Sequence, residues 1–201
     1  ERDQAYQAEH NAMISGDLSI LCSPEEGMEV MATIAAAEGA ARERTSVIYS
    51  PGPKRMNAGS GAARALLPHS EAKFCVLYVG QISQEKGVGV LVESAFALCS
   101  MRNDICFLLA GNYVWNNPFA TALMARVEQA GLQDRIVFLG FIEDIDSIYK
   151  QADLHVCPSL CEEAYGLTVV EAKERQLPSI VFASGGLPEI IKSGENGWVC
   201  E

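Results

Sequence analysis

Residues 153–172 read Asp153-Leu154-His155-Val156-Cys157-Pro158-Ser159-Leu160-Cys161-Glu162-Glu163-Ala164-Tyr165-Gly166-Leu167-Thr168-Val169-Val170-Glu171-Ala172. A short, nearly continuous apolar run stops at Pro158, a polar loop follows, and a helical pattern opens at Gly166. This is one strand–loop–helix unit. Apolar residues along the whole run, rather than at alternate positions, describe a strand covered on both faces. The helix must stop before Pro178, because the residue preceding a proline is pushed out of the helical region.

The same unit recurs on either side of it. Strands are expected at Phe74–Val79, Ile105–Ala110, Ile136–Leu139, Leu154–Cys157, Ser179–Phe182 and Trp198–Cys200. Between the first two, Val88, Leu91, Val92, Ala95 and Leu98 recur at helical spacing. Asn117-Pro118 opens the next helix as a cap followed by proline in the first turn, Phe119, Leu123 and Val127 form its stripe, and Gly131 closes it. A shorter helix follows Asp144, and a last one carries Pro188 in its first turn and ends at Gly194. Strand and helix alternating this regularly predict repeated βαβ units, hence an α/β fold with a doubly wound parallel sheet. Right-handed crossovers then gather the loops after residues 79, 110, 139, 157 and 182 on one edge, where such sheets bind ligands.

Residues 1–50 read as helix, strand (Leu18–Cys22), helix (Glu25 to about Ala40) and strand (Ser46–Tyr49), a small segment of a preceding domain. Residues 51–73, rich in Pro, Gly, Asn and Ser, read as a linker, and 74–201 as the sheet domain, cut short at its C-terminal end. Six of the 15 basic residues (Arg42, Arg44, Lys54, Arg55, Arg64, Lys73) fall between 41 and 73. They are compatible with a solvated linker or with phosphate and lipid headgroups, so peripheral membrane association stays open. The chain starts Glu1-Arg2-Asp3-Gln4 without Met or signal peptide, so a piece of a longer, cytoplasmic protein is expected.

The 201 residues are 49% hydrophobic and 20% charged, which excludes disorder and fibrous classes. A net charge of −11 argues against nucleic acid as a partner. Seven cysteines, an odd number without a CxxC pair, read as buried thiols in a reducing compartment. Cys157 and Cys161 beside His155 lack the second ligand pair that a structural zinc site requires. Gly87-Val88-Gly89 lacks a third glycine and lies in a helical pattern, so it does not read as a dinucleotide loop.

Chemistry concentrates around Gly166. A helix starting there presents free backbone N–H groups and the positive end of its dipole, an anion site that needs no basic side chain. Glu163 precedes that start and Glu171 lies about a turn into the helix. A carboxylate accepts two hydrogen bonds from a vicinal diol, so phosphate in the middle with diols at either end describes a nucleotide sugar. Solvated surface glutamates are the alternative, and these residues alone leave both open.

Further landmarks occur in order: Val79-Gly80-Gln81-Ile82-Ser83-Gln84-Glu85-Lys86-Gly87, Gly111, Arg135-Ile136-Val137-Phe138-Leu139-Gly140-Phe141-Ile142, Glu163 with Glu171, Gly185-Gly186-Leu187-Pro188-Glu189-Ile190 and Gly194-Glu195-Asn196-Gly197. Residues 74–201 thereby resemble the C-terminal, donor-binding domain of retaining GT-B glycosyltransferases of group 1, a Rossmann-like half of that fold. The resemblance implies transfer of a hexose-type sugar from a nucleoside-diphosphate sugar with retention. It gives Lys86 the donor diphosphate and Glu163 the hydroxyls of the transferred sugar near the reacting carbon. The Gly166, Leu167 and Thr168 amides would hold phosphate, Glu171 the ribose, and the backbone near Phe141 and Ile142 the base. Lys86 and helix N–H groups would stabilise the leaving diphosphate in place of a metal, so no cofactor is expected. The sugar or lipid-linked acceptor would bind through the preceding domain.

Two departures stand out. The family usually has Arg where this chain has Gln81, which removes one phosphate partner. It often has Gly where Gln176 stands, which points to local loop shape. A non-catalytic nucleotide-sugar binding module is therefore a second reading. A flavodoxin-like or receiver-type signalling module is a third, though Gly80-Gln81-Ile82 stands where such a module needs acidic residues.

Overall fold

The computed structural model describes residue 72, residues 74–112 and residues 117–200. The expectations for residues 1–50 and for the linker at 51–73 lie outside these, apart from Ala72. Eleven elements follow in order among the described residues: β1 (Phe74–Val79), α1 (Val88–Met101), β2 (Ile105–Ala110), α2 (Pro118–Gln129), β3 (Ile136–Gly140), α3 (Ile145–Tyr149), β4 (Leu154–Cys157), α4 (Leu167–Glu174), β5 (Ser179–Phe182), α5 (Leu187–Ile190) and β6 (Gly197–Cys200).

The six strands form one sheet in the order β3-β2-β1-β4-β5-β6. Every neighbouring pair is parallel. The chain winds outward from β1 through β2 to β3, returns to the far side of β1, and winds outward again. This is the doubly wound arrangement expected from the alternation. Its crossovers diverge between β1 and β4, and that divergence opens a crevice beyond their carboxyl ends.

Both faces are covered, which is why the strand runs are apolar throughout. Phe74, Val76 and Tyr78 pack with Leu91, Leu98 and Leu123 under α1 and α2. Their neighbours Cys75 and Leu77 face the other way, with Ile148, Tyr149 and Ala172 of α3 and α4. Leu187 and Ile191, at the two ends of α5, pack with Val169 and Val181. The described cysteines are all free thiols, and Cys75, Cys99, Cys106, Cys157 and Cys200 are buried among these side chains.

Three boundaries differ from expectation. β3 runs one residue further, to Gly140, and β6 starts one residue earlier, at Gly197, because Gly140 pairs with Ala110 and Gly197 with Ser179. In β3 the register slips at the same point, which a glycine tolerates. Helix α5 ends at Ile190 rather than Gly194. Asn196 takes over there, accepting from Lys192 N at 2.8 Å and donating to Ile190 O at 3.0 Å.

Candidate functional site

The crevice between β1 and β4 is a cleft of ≈ 270 Å³. Its floor and walls include Gly80, Lys86, Ser159, Glu163, Gly166 and Thr168. The loops that build it are tied together. Glu85 O accepts from Leu160 N at 2.9 Å and from Cys161 N at 3.2 Å. Gly87 makes this possible, since a Cβ there would lie 1.7 Å from Pro158 O. It is also left-handed, with φ 67°, so it caps α1 where a side chain would collide.

Lys86 and Glu163 meet in the cleft, Nζ to Oε1 at 2.5 Å. Ser159 Oγ donates to the same oxygen at 2.9 Å and is itself buried. Both side chains of the ion pair stay partly open to solvent. Burial opposes the charge on Lys86, but the contact with Glu163 outweighs it and holds the ammonium above its ordinary pKa. The Glu163 backbone is fixed from behind, where Gly186 N donates to Glu163 O at 2.7 Å. Tyr78 closes the floor: its hydroxyl donates to Gln81 O at 2.8 Å. Burial, then Cys157 and Glu163, push its pKa upward, so it stays protonated.

Gly166 caps α4 in the left-handed region and offers no side chain to its first turn. Val169 N and Val170 N return to Gly166 O. The leading amides, those of Leu167 and Thr168, have no acceptor earlier in the helix, and both residues line the cleft. Lys86 is the one basic side chain lining the cleft among the described residues. Among those residues no cluster of His, Cys, Asp or Glu is placed to hold a metal ion.

The structure therefore brings together Lys86, Glu163, Gly166, Leu167 and Thr168. It leaves four expected residues outside the cleft lining. Gln81 is exposed, although its carbonyl is engaged by Tyr78. Phe141 is 71% exposed in the loop after β3, beside half-buried Ile142. Glu171 lies further along α4, where Tyr149 Oη donates to its Oε2 at 3.0 Å. Arg175 sits over the Tyr149 ring and donates to Glu171 O at 2.8 Å. His155 sits inside the sheet against Ser179, and Asp144 caps α3 through Ser147 N. Three supporting residues were not singled out from sequence: Ser159, Tyr78 and Tyr149. A polar residue closing the Pro158 turn near Glu163 was a usable signal for Ser159. Nothing in the sequence pairs Tyr149 with Glu171.

Residues 62–201 match the family Glycosyl transferases group 1. The chain belongs to that family. A group 1 relative, the lipopolysaccharide core biosynthesis mannosyltransferase LpcC of Rhizobium leguminosarum bv. viciae, is 32% identical over 143 residues, 71% of this chain and 40% of that protein. The C-terminal domain of the group 1 protein LpcC from Francisella tularensis superposes with a TM-score of 0.59 at 32% identity, covering 65% of this chain and 68% of that one. HepE from Anabaena, solved in complex with UDP and glucose, superposes with a TM-score of 0.62 at 25% identity, covering 74% of this chain and 39% of that one. The chain thus spans about 40% of the curated mannosyltransferase it matches, and its sheet is a C-terminal GT-B glycosyltransferase domain.

Proposed function

We propose that this group 1 domain binds the donor of a hexosyl transfer, a nucleoside-diphosphate sugar, and that the parent enzyme transfers the sugar with retention. The observation that carries the reading is the meeting of Lys86, Glu163 and the leading amides of α4 in one crevice at the switch between β1 and β4. In this reading the diphosphate lies against Lys86 and the Leu167 and Thr168 amides. These donors are fixed before the reaction and stabilise charge that develops on the leaving group, so no divalent metal is required. Glu163 accepts from the sugar hydroxyls, Glu171 from the ribose, and the base lies by Phe141 and Ile142. The UDP bound by HepE supports the ligand class. The acceptor, a sugar or lipid-linked sugar, meets the parts of the enzyme beyond this match, and this chain alone transfers nothing. The buried free thiols support a reducing, cytoplasmic compartment. Among the described residues no helix is long and apolar enough to cross a membrane.

Titration of UDP, GDP, ADP and their glucose conjugates by calorimetry tests this. One nucleotide series should bind with or without EDTA, and Glu171→Ala should weaken it by about 1–3 kcal/mol, the scale of a lost hydrogen bond to a charged group. No binding by any of the six, or binding abolished by EDTA, overturns the reading. Gln81 favours one variant of it. Exposed and neutral, it supplies no guanidinium to the diphosphate, and a nucleotide-sugar binding module without transfer would bind the donor but show no turnover in the intact protein.

A further inference from the structure

Lys86 has two claimants. Among the described residues it is the one basic side chain lining the cleft, yet its ammonium is already held by Glu163 Oε1 at 2.5 Å. We propose that Glu163 is a built-in competitor for the diphosphate partner: it occupies Lys86 in the empty cleft and must give it up when a diphosphate arrives. The inference rests on the nucleotide-sugar reading above and adds to it a rule for discriminating donor from spent nucleotide.

The physical argument is one of charge and partner number. A diphosphate placed against Lys86 is also placed near the Glu163 carboxylate, and the two anions repel across a cleft whose side chains are only partly solvated. A nucleoside diphosphate without its sugar meets this repulsion and the loss of the ion pair with nothing in return. A sugar-bearing donor offers hydroxyls to the carboxylate as Lys86 leaves it, so its oxygens regain donors. Ser159, buried and donating to the same Oε1 at 2.9 Å, holds the carboxylate in place through the exchange. Glu163 then favours the donor and hastens loss of the product.

A double-mutant cycle separates the two ideas. UDP, GDP or ADP, whichever binds tightest, and its glucose conjugate are titrated by calorimetry into the 201-residue chain and into Glu163→Gln, Lys86→Met and the double variant. Circular dichroism and thermal melts confirm that each is folded. Glu163→Gln should bind the free diphosphate about two- to fivefold more tightly than the native chain, the range for a partly exposed ion pair. It should bind the glucose conjugate more weakly, and its gain for the free diphosphate should shrink in the Lys86→Met background, where only the direct repulsion is left to relieve. Unchanged or weaker diphosphate binding by Glu163→Gln, with Lys86→Met still impaired, overturns the competitor and leaves the site intact. A gain of the same size in Lys86→Met shows charge repulsion alone rather than competition for Lys86, and overturns it too. No binding of any nucleotide to the native chain overturns the donor reading itself. A variant that fails to fold is replaced by Ser159→Ala, which frees Glu163 while keeping both charges. It should lower affinity for the glucose conjugate more than for the diphosphate, and an equal loss counts against the proposal.

Discussion

His155 is fully buried on β4, its Nδ1 lying 3.1 Å from Ser179 Oγ and its Nε2 without a hydrogen-bond partner among the described residues. Burial pushes its pKa down to about 3. In the folded chain it is neutral above that value, whereas in the unfolded chain it titrates near 6.5. Between the two the unfolded state binds the extra proton, so the contribution is fully present above about pH 6.5 and is lost as the solution is acidified toward 3. Stability from urea unfolding should fall by about 2 kcal/mol between pH 7 and pH 5 through this residue alone. His155→Asn should remove that part of the slope while leaving the carboxylate contributions common to both proteins. Equal slopes would show that His155 does not stay neutral inside the fold. In sequence, His155 was a polar interruption of an apolar run, set beside Cys157 and Cys161 without the further ligands a zinc site needs. It is buried against Ser179 of β5, 24 positions away, and beside Tyr149, whose ring centre is 6.1 Å away.

Two helices end in the same way with different residues. At the end of α2, Leu132 N donates to Val127 O at 3.0 Å and Gly131 N to Glu128 O at 2.9 Å. At the end of α4, Leu177 N donates to Ala172 O and Gln176 N to Lys173 O, both at 2.9 Å. Both are the paired closure that requires a left-handed residue after the cap. Gly131 has φ 67° and Gln176 has φ 58°. A glutamine there bears a cost that glycine does not, about 1 kcal/mol. Gln176→Gly should therefore raise stability by about 0.5–1 kcal/mol in chemical denaturation, and Gly131→Gln, with no atom within 4 Å of its new Cβ, should lower it by a similar amount through φ alone. A loss on Gln176→Gly would mean that its side chain contributes more than the backbone costs. Elements at this scale were largely legible in advance. β1, β2, β4 and β5 occupy the residues expected, because strands buried on both faces spell themselves out as apolar runs. The misses fall at Gly140, Gly194 and Gly197, where a residue that reads as a breaker either pairs or leaves the ending to a neighbour. The sequence marked Gln176 as unusual, but only the backbone says why.

For the molecule as a whole, the site exists because two halves of a sheet meet. Lys86 and Glu163 lie 77 positions apart, and no periodicity relates them; that both belong on one edge was legible because each follows a strand end, but their contact with each other was not. What the sequence could not express is the seam itself, where the Glu85 carbonyl joins Leu160 and Cys161 and Gly87 lies against Pro158. Gly87→Ala should part that seam, since the new Cβ would overlap a backbone oxygen. A loss of about 2–4 kcal/mol in stability and of nucleotide binding together is expected. Denaturation and calorimetry on the same preparation would check it, and retained affinity at reduced stability would show that the two loops are not a unit. The strand order carries a further consequence, for the making of the protein. β1 pairs with β2 soon after both are synthesised, but its other neighbour is β4, and the hydrogen bond from Cys75 N to the Asp153 side chain spans 78 positions. A growing chain therefore holds β1, β2 and β3 together with one side of β1 open, a sticky edge that no described element made before β4 covers. That edge stays unprotected until translation has passed β4, and the Lys86–Glu163 cleft, lying on that junction, is among the last features a nascent chain acquires.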